Sequence, residues 1–148
     1  MSRRRAIAGA ALITVALTVV GHAQPQAPTK KFTPHEAAAT ACVQKTISTT
    51  GMVSTAGMRE CWLAEVGKAQ TTLAAEVQRF AEVVKEPGRR KNLTNAQDAW
   101  EASVKATCNL YLSVFEGTMW HPVSDGCVLR KVEERTAEIR RMREEYEK

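Results

Sequence analysis

The chain has no close-set cysteine pair, no glycine-rich phosphate loop and no Gly-x-Ser-x-Gly turn. The first absence argues against zinc, whose small-domain sites need closely spaced thiolates such as Cys-x-x-Cys. The second removes the backbone cradle for nucleotide phosphates, and the third removes the usual elbow for a serine nucleophile. Histidine is also scarce. Of three in the chain, only His35 and His121 lie beyond the N-terminal segment. No run of lysine and arginine interleaved with aromatics is present, which argues against nucleic acid as a partner. No segment alternates apolar and polar residues over a convincing length, so no β-sheet is expected.

The first residues read as a targeting segment. Arg3, Arg4 and Arg5 form a basic start, Ala6 to Val20 is an uncharged apolar run, and Gly21-His22-Ala23 offers small residues at the positions a signal peptidase reads. A run of about 15 apolar residues is shorter than the roughly 20 of a membrane-spanning helix. Residues 1–23 are therefore expected to be a cleaved signal peptide, placing the protein in the periplasm or outside the cell. No cysteine follows the cleavage site, so no lipid anchor and no stable membrane anchor is expected after cleavage. The full chain carries 21 basic and 16 acidic residues, a net charge of +5. Without its three leading arginines the balance falls to 18 against 16, or +2. The high isoelectric point is thus partly a property of the targeting segment.

About 125 residues remain, enough for one domain with a modest core that gains from covalent staples. All four cysteines, Cys42, Cys61, Cys108 and Cys127, lie in this part. An even count in a small exported chain reads as a disulfide framework. Four cysteines allow three connectivities. Cys42 and Cys61 are 19 residues apart, as are Cys108 and Cys127, and the favoured pairing joins each of these to close one helix–turn–helix.

Residues 24–32, with Pro25 and Pro28, read as a flexible lead. Thr33-Pro34-His35-Glu36 then combines an N-cap, a proline at the first helical position and a capping-box glutamate. The first helix is expected to run to about Thr49, with Gly51 ending it. Ser54 or Thr55 opens a second helix. Its apolar face is Leu63, Val66, Leu73, Val77, Phe80 and Val84, and Glu65, Lys68, Glu76, Arg79 and Glu82 are expected on a solvated face. Pro87-Gly88 is read as its stop and Arg89-Arg90-Lys91 as a basic loop. Thr94-Asn95-Ala96-Gln97 resembles a second capping box. The third helix then carries Leu93, Ala96, Trp100, Val104, Cys108, Tyr111 and Phe115 on one side. Gly117 breaks it, residues 117–125 form a loop, and Ser124 or Asp125 caps a fourth helix striped by Val128, Val132, Ile139, Met142 and Tyr146. That helix is dense in charge, and Arg140 with Glu144 and Arg141 with Glu145 are spaced as i,i+4 pairs. The expected fold is all-α, a small antiparallel bundle of about four helices. Helices 2, 3 and 4 form the main bundle, and helix 1 is stapled beside helix 2.

These residues suit binding better than catalysis. The cysteines serve as bridges, the glutamates lie on helix faces, and a slim bundle rarely offers the cleft that two working carboxylates need. No metal or cofactor is expected. Trp62 and Trp100 belong to core positions and His35 to a solvated helix start. Trp120 lies in the 117–125 loop, where it either anchors a partner or folds back over the bundle end.

The second half resembles the LprI family of lysozyme inhibitors. Gln97, Trp100, Cys108, Gly117-Thr118, Cys127 and Arg135 stand where the family has Gln, Trp, Cys, a loop of small residues, Cys and Arg. Cys61 takes the place of an upstream cysteine, and Cys42 that of the extra one many members carry. The family loop often has two glycines before its Ser or Thr, whereas this chain has Glu116-Gly117-Thr118. The resemblance spans roughly Cys42 to Met142. It implies a helical domain that protects peptidoglycan by occluding the active-site cleft of lysozyme or another peptidoglycan hydrolase. Gln97, Trp100 and Arg135 would then be structural, and the expected partner-binding loop is Gly117, Thr118, Trp120, His121 and Asp125. The alternative is a periplasmic immunity or adaptor protein that binds another wall hydrolase or envelope protein. The near-neutral balance of the chain gives weak electrostatic steering toward a cationic lysozyme unless Glu65, Glu76 and Glu82 supply it locally.

Overall fold

A computed structural model of the chain describes residues 31–148. The expected signal peptide and nearly all of the lead lie outside these residues. Four helices follow in order: α1 (Pro34–Thr50), α2 (Thr55–Val83), α3 (Pro87–Val114) and α4 (Trp120–Tyr146). No strand occurs among the described residues. The two disulfides join Cys42 to Cys61 and Cys108 to Cys127, so each closes one helical hairpin.

The first hairpin forms as its residues dictate. The Thr33 hydroxyl accepts a hydrogen bond from the Glu36 N–H, and the Glu36 carboxylate accepts one from the Thr33 N–H, satisfying two orphan donors at once. Gly51 ends α1 with φ +79°, a left-handed conformation that costs glycine nothing. Ser54 caps α2 by accepting from Gly57.

The second hairpin departs from the sequence expectation in three places. Pro87-Gly88 starts α3 rather than closing α2, because a proline at the first helical position gives up only an N–H that had no partner there. Arg89-Arg90-Lys91 is consequently helical and not a loop. Thr94 lies inside the same helix, with its hydroxyl donating to the Arg90 carbonyl one turn back. The 117–125 loop shrinks to residues 115–119, since α4 begins at Trp120 and Ser124 and Asp125 lie within it.

α4 is the hub. It packs along α2 and α3 and touches α1, whereas α2 and α3 make little direct contact with each other. The expected packing of α2 on α3 is therefore slight, although the link between them is only residues 84–86. α2 and α4 run parallel, as the matched pairs Arg59–Asp125, Glu76–Arg140 and Phe80–Tyr146 show. Val66, Ala69 and Leu73 from α2 meet Leu129, Val132 and Ile139 from α4 in the core, with Trp62, Phe80, Leu93 and Trp100 around them. The Trp62 ring lies against α4 at Gly126, where a Cβ would meet it in ordinary van der Waals contact at 3.4 Å.

Several charged residues expected in solvent are buried at helix contacts. Glu65 is buried beside His35 of α1, with 2.7 Å between Nδ1 and Oε2, and Lys68 donates to its other oxygen. His35 is therefore an interhelical partner. Glu76 is buried within reach of Arg79, Arg140 and Arg143, so Arg140 crosses to α2 instead of pairing with Glu144. Glu36 is buried and meets Arg130 of α4. In the opposite direction, Leu63 and Met142 are exposed.

Candidate partner-binding site

The parallel course of α2 and α4 brings both hairpin turns, residues 51–54 and 115–119, to one end of the bundle. The α3–α4 turn is the more apolar. Its helix approaches through Leu110-Tyr111-Leu112-Ser113-Val114-Phe115, apolar at every position but Ser113 rather than on one stripe. Such a helix end cannot bury every side chain against one neighbour. Leu110, Leu112, Val114, Phe115, Met119 and Val123 are accordingly exposed, Val114 to 65% and Met119 to 58%. Exposed apolar side chains gathered at one end of a small domain mark it as a candidate interaction site.

The turn is held from below and from within. Cys108–Cys127 ties α3 to α4 beneath it, and Ser124 donates to the Cys108 carbonyl beside the bridge. Phe115 leaves α3 in an extended conformation, and Gly117 turns the chain with φ +94°, a value strained for any residue with a Cβ. Trp120 then opens α4 and stacks on Phe115 with ring centroids 4.2 Å apart. Tyr111 stacks on both, at 6.3 Å from Phe115 and 6.2 Å from Trp120. Aromatic stacking of this geometry adds to the area buried. The three rings brace the turn without hiding it.

The residues expected to form the partner-binding loop separate into two groups. Gly117 and Thr118 are exposed at the turn, and Trp120 and His121 are half-buried in the first turn of α4. Leu112 to Thr118 and His121 line a recess of about 530 Å³. The His121 Nδ1 has no hydrogen-bond partner among the described residues. Trp120 folds back onto the hairpin, leaving Phe115, Val114 and Met119 more prominent. Asp125 is not on the loop. It is buried and accepts from Arg59 Nε at 3.0 Å, joining α4 to α2. Burial pushes its carboxyl above the ordinary range, against the opposing effect of Arg59. Glu65 behaves oppositely: hydrogen bonds from His35 and Lys68 hold it below that range. With Glu65 and Glu76 buried and paired, neither supplies a free acidic face for steering.

Gln97, Trp100 and Arg135 meet on the α3–α4 contact. Arg135 Nε donates to Gln97 Oε1 at 3.2 Å, its Nη1 donates to Glu138 at 2.9 Å, and its guanidinium lies 5.7 Å from the centre of the Trp100 ring. These three residues lie well below the hairpin turn and join the two helices.

Among the described residues no group of side chains is arranged to hold a metal ion, and no helix is long and apolar enough to cross a membrane. The family model described as lysozyme inhibitor LprI matches residues 46–139, most of the chain. No curated protein and no solved structure matches it.

Proposed function

The chain belongs to the LprI family of lysozyme inhibitors, and on that premise we propose that it inhibits a lysozyme by seating the α3–α4 turn in the enzyme's substrate cleft. The observation that carries this reading is the exposed apolar crest of Val114, Phe115 and Met119 on a turn tied by Cys108–Cys127 and braced by stacked rings. A turn already ordered before docking loses little conformational freedom on binding. Lysozyme clefts present two carboxylates. The His121 side chain lines the recess beside the crest, where such a carboxylate would approach. Export into an oxidising compartment belongs to the same reading, since two bridges persist only there.

The test is lysis of bacterial cell walls by lysozymes of several types, with and without the purified oxidised protein. Dose-dependent protection is expected. Val114→Asp and Met119→Asp alter side chains that already face water, so the fold survives. Each is expected to weaken inhibition at least tenfold, as loss of an interface anchor does. Full inhibition by both variants would remove the turn from the mechanism. Protection against no lysozyme would overturn the reading and leave an immunity or adaptor role on another wall hydrolase.

A further inference from the structure

The two hairpins follow one plan, repeated after 66 residues. Arg59 meets Asp125 across the α2–α4 seam at that separation, and Phe80 meets Tyr146 at the same one. The same shift carries the Cys42–Cys61 bridge onto Cys108–Cys127. It also carries Gly51 onto Gly117, the two glycines of positive φ among the described residues. The starts of α2 and α4 are consequently level. Arg59 is the fifth residue of α2 and Asp125 the sixth of α4, so the starts differ by one residue, about 1.5 Å at the helical rise. Packed helices lie about 10 Å apart, and the Arg59–Asp125 pair just behind both turns holds them in register.

This end of the molecule also lacks charge. Asp, Glu, Lys and Arg make up 25% of the chain, yet none occurs from Thr46 to Met58 and only Glu116 from Ala106 to Ser124. Depletion of charge marks the centre of a protein interface. Met52, on the α1–α2 turn, is 76% exposed, more than any side chain of the crest. Gly51 ends α1 and Ser54 caps α2, and the Met52 side chain does neither.

Interface size decides what covers Met52. A stable protein–protein contact buries about 800 Å² on each partner, a patch about 30 Å across. The helices behind the two turns are only about 10 Å apart. An enzyme that takes the α3–α4 turn into its cleft therefore covers the α1–α2 turn as well.

We propose that the α1–α2 turn is a second contact on the same enzyme, with Met52 resting on the rim of the cleft that the α3–α4 turn enters. This rests on the inhibitor reading above. An unbranched thioether side chain suits the place, because it adapts to an irregular surface.

The test applies the same lysis assay to the oxidised chain. Met52→Asp changes a side chain already in water, and it is expected to raise the concentration for half protection by about fivefold or more. Met52→Leu, close in volume, is expected to keep it within about twofold. Benzoylphenylalanine in place of Met52 is expected to cross-link the enzyme on irradiation. In place of Thr72, exposed midway along α2, it is expected to leave the enzyme free. Unaltered inhibition by Met52→Asp, with Val114→Asp still weakened, would overturn this inference alone and leave the α3–α4 turn as the whole contact. A missing cross-link at position 52 would do the same. Protection against no lysozyme by the unaltered chain would remove the inhibitor reading and this inference together. A concentration-dependent dimer that Met52→Asp dissolves would assign this end to a second copy instead.

Discussion

Arg135 shows how much one side chain does in a domain of this size. It is buried, yet its guanidinium is shared among Gln97, Glu138 and the face of Trp100. Arg135→Ala leaves the Gln97 oxygen without its donor and opens space beside Trp100. A loss of about 2–3 kcal/mol is expected in urea unfolding. Lysine is a poor substitute there, because it lacks the planar fork that reaches two acceptors while lying on a ring, so Arg135→Lys is expected to recover only part. Glu65 and Asp125 predict opposite responses to pH. The folded-state pKa of Glu65 is lowered, so its contribution is present above the unfolded value and disappears as pH falls through the folded one. Asp125 is raised, so its contribution is present below the unfolded value and disappears as pH rises through the folded one. Glu65→Gln is accordingly expected to flatten the acid limb of stability against pH. Carboxyl-carbon NMR is expected to find Asp125 taking up its proton above the usual range, with the fold intact, and Glu65 below it.

At the scale of elements, the two hairpins obey the same rule. Each bridge closes a span of 19 residues, so each stabilises by about 3 kcal/mol through the unfolded chain. Cys42→Ser with Cys61→Ser, and Cys108→Ser with Cys127→Ser, are each expected to lower the melting midpoint by about 10 °C. Their effects on function should differ if the proposed docking holds, with inhibition falling more in the second pair because only that bridge ties the turn proposed to enter the cleft. The equal spacing of the cysteines makes the bridges legible in the sequence, as Thr33-Pro34-x-Glu36 and Gly51 do for α1. The second hairpin is harder to read. Proline-glycine marks either the end of one helix or the start of the next, and only tertiary context decides that Pro87 begins α3. Glu65 and Glu76 look like solvent positions because a one-dimensional pattern cannot show that His35 and Arg140 arrive from other helices. The crest is foreshadowed in the apolar run ending α3, broken only by Ser113, while the recess beside it depends on a turn shorter than its glycine suggests.

The whole molecule departs from a regular four-helix bundle by giving one helix three neighbours. α4 meets α2 as a parallel partner, and α1 and α3 lie at different places around that pair. The open groove between α2 and α3 follows from this arrangement, and no local pattern in the sequence foretells it, because each wall taken alone is an ordinary amphipathic helix face. The same arrangement divides the molecule's contacts by distance along the chain. Within each hairpin, partners such as Cys42 and Cys61 or Cys108 and Cys127 are 19 residues apart, whereas Arg59 and Asp125 across α2 and α4 are 66 apart. Neither bridge encloses any part of the other hairpin. Each can oxidise before the halves have met, in either order, without trapping the chain. The α2–α4 seam, which holds the core, is then where the two halves must find each other, and closing that longer loop is the slower search.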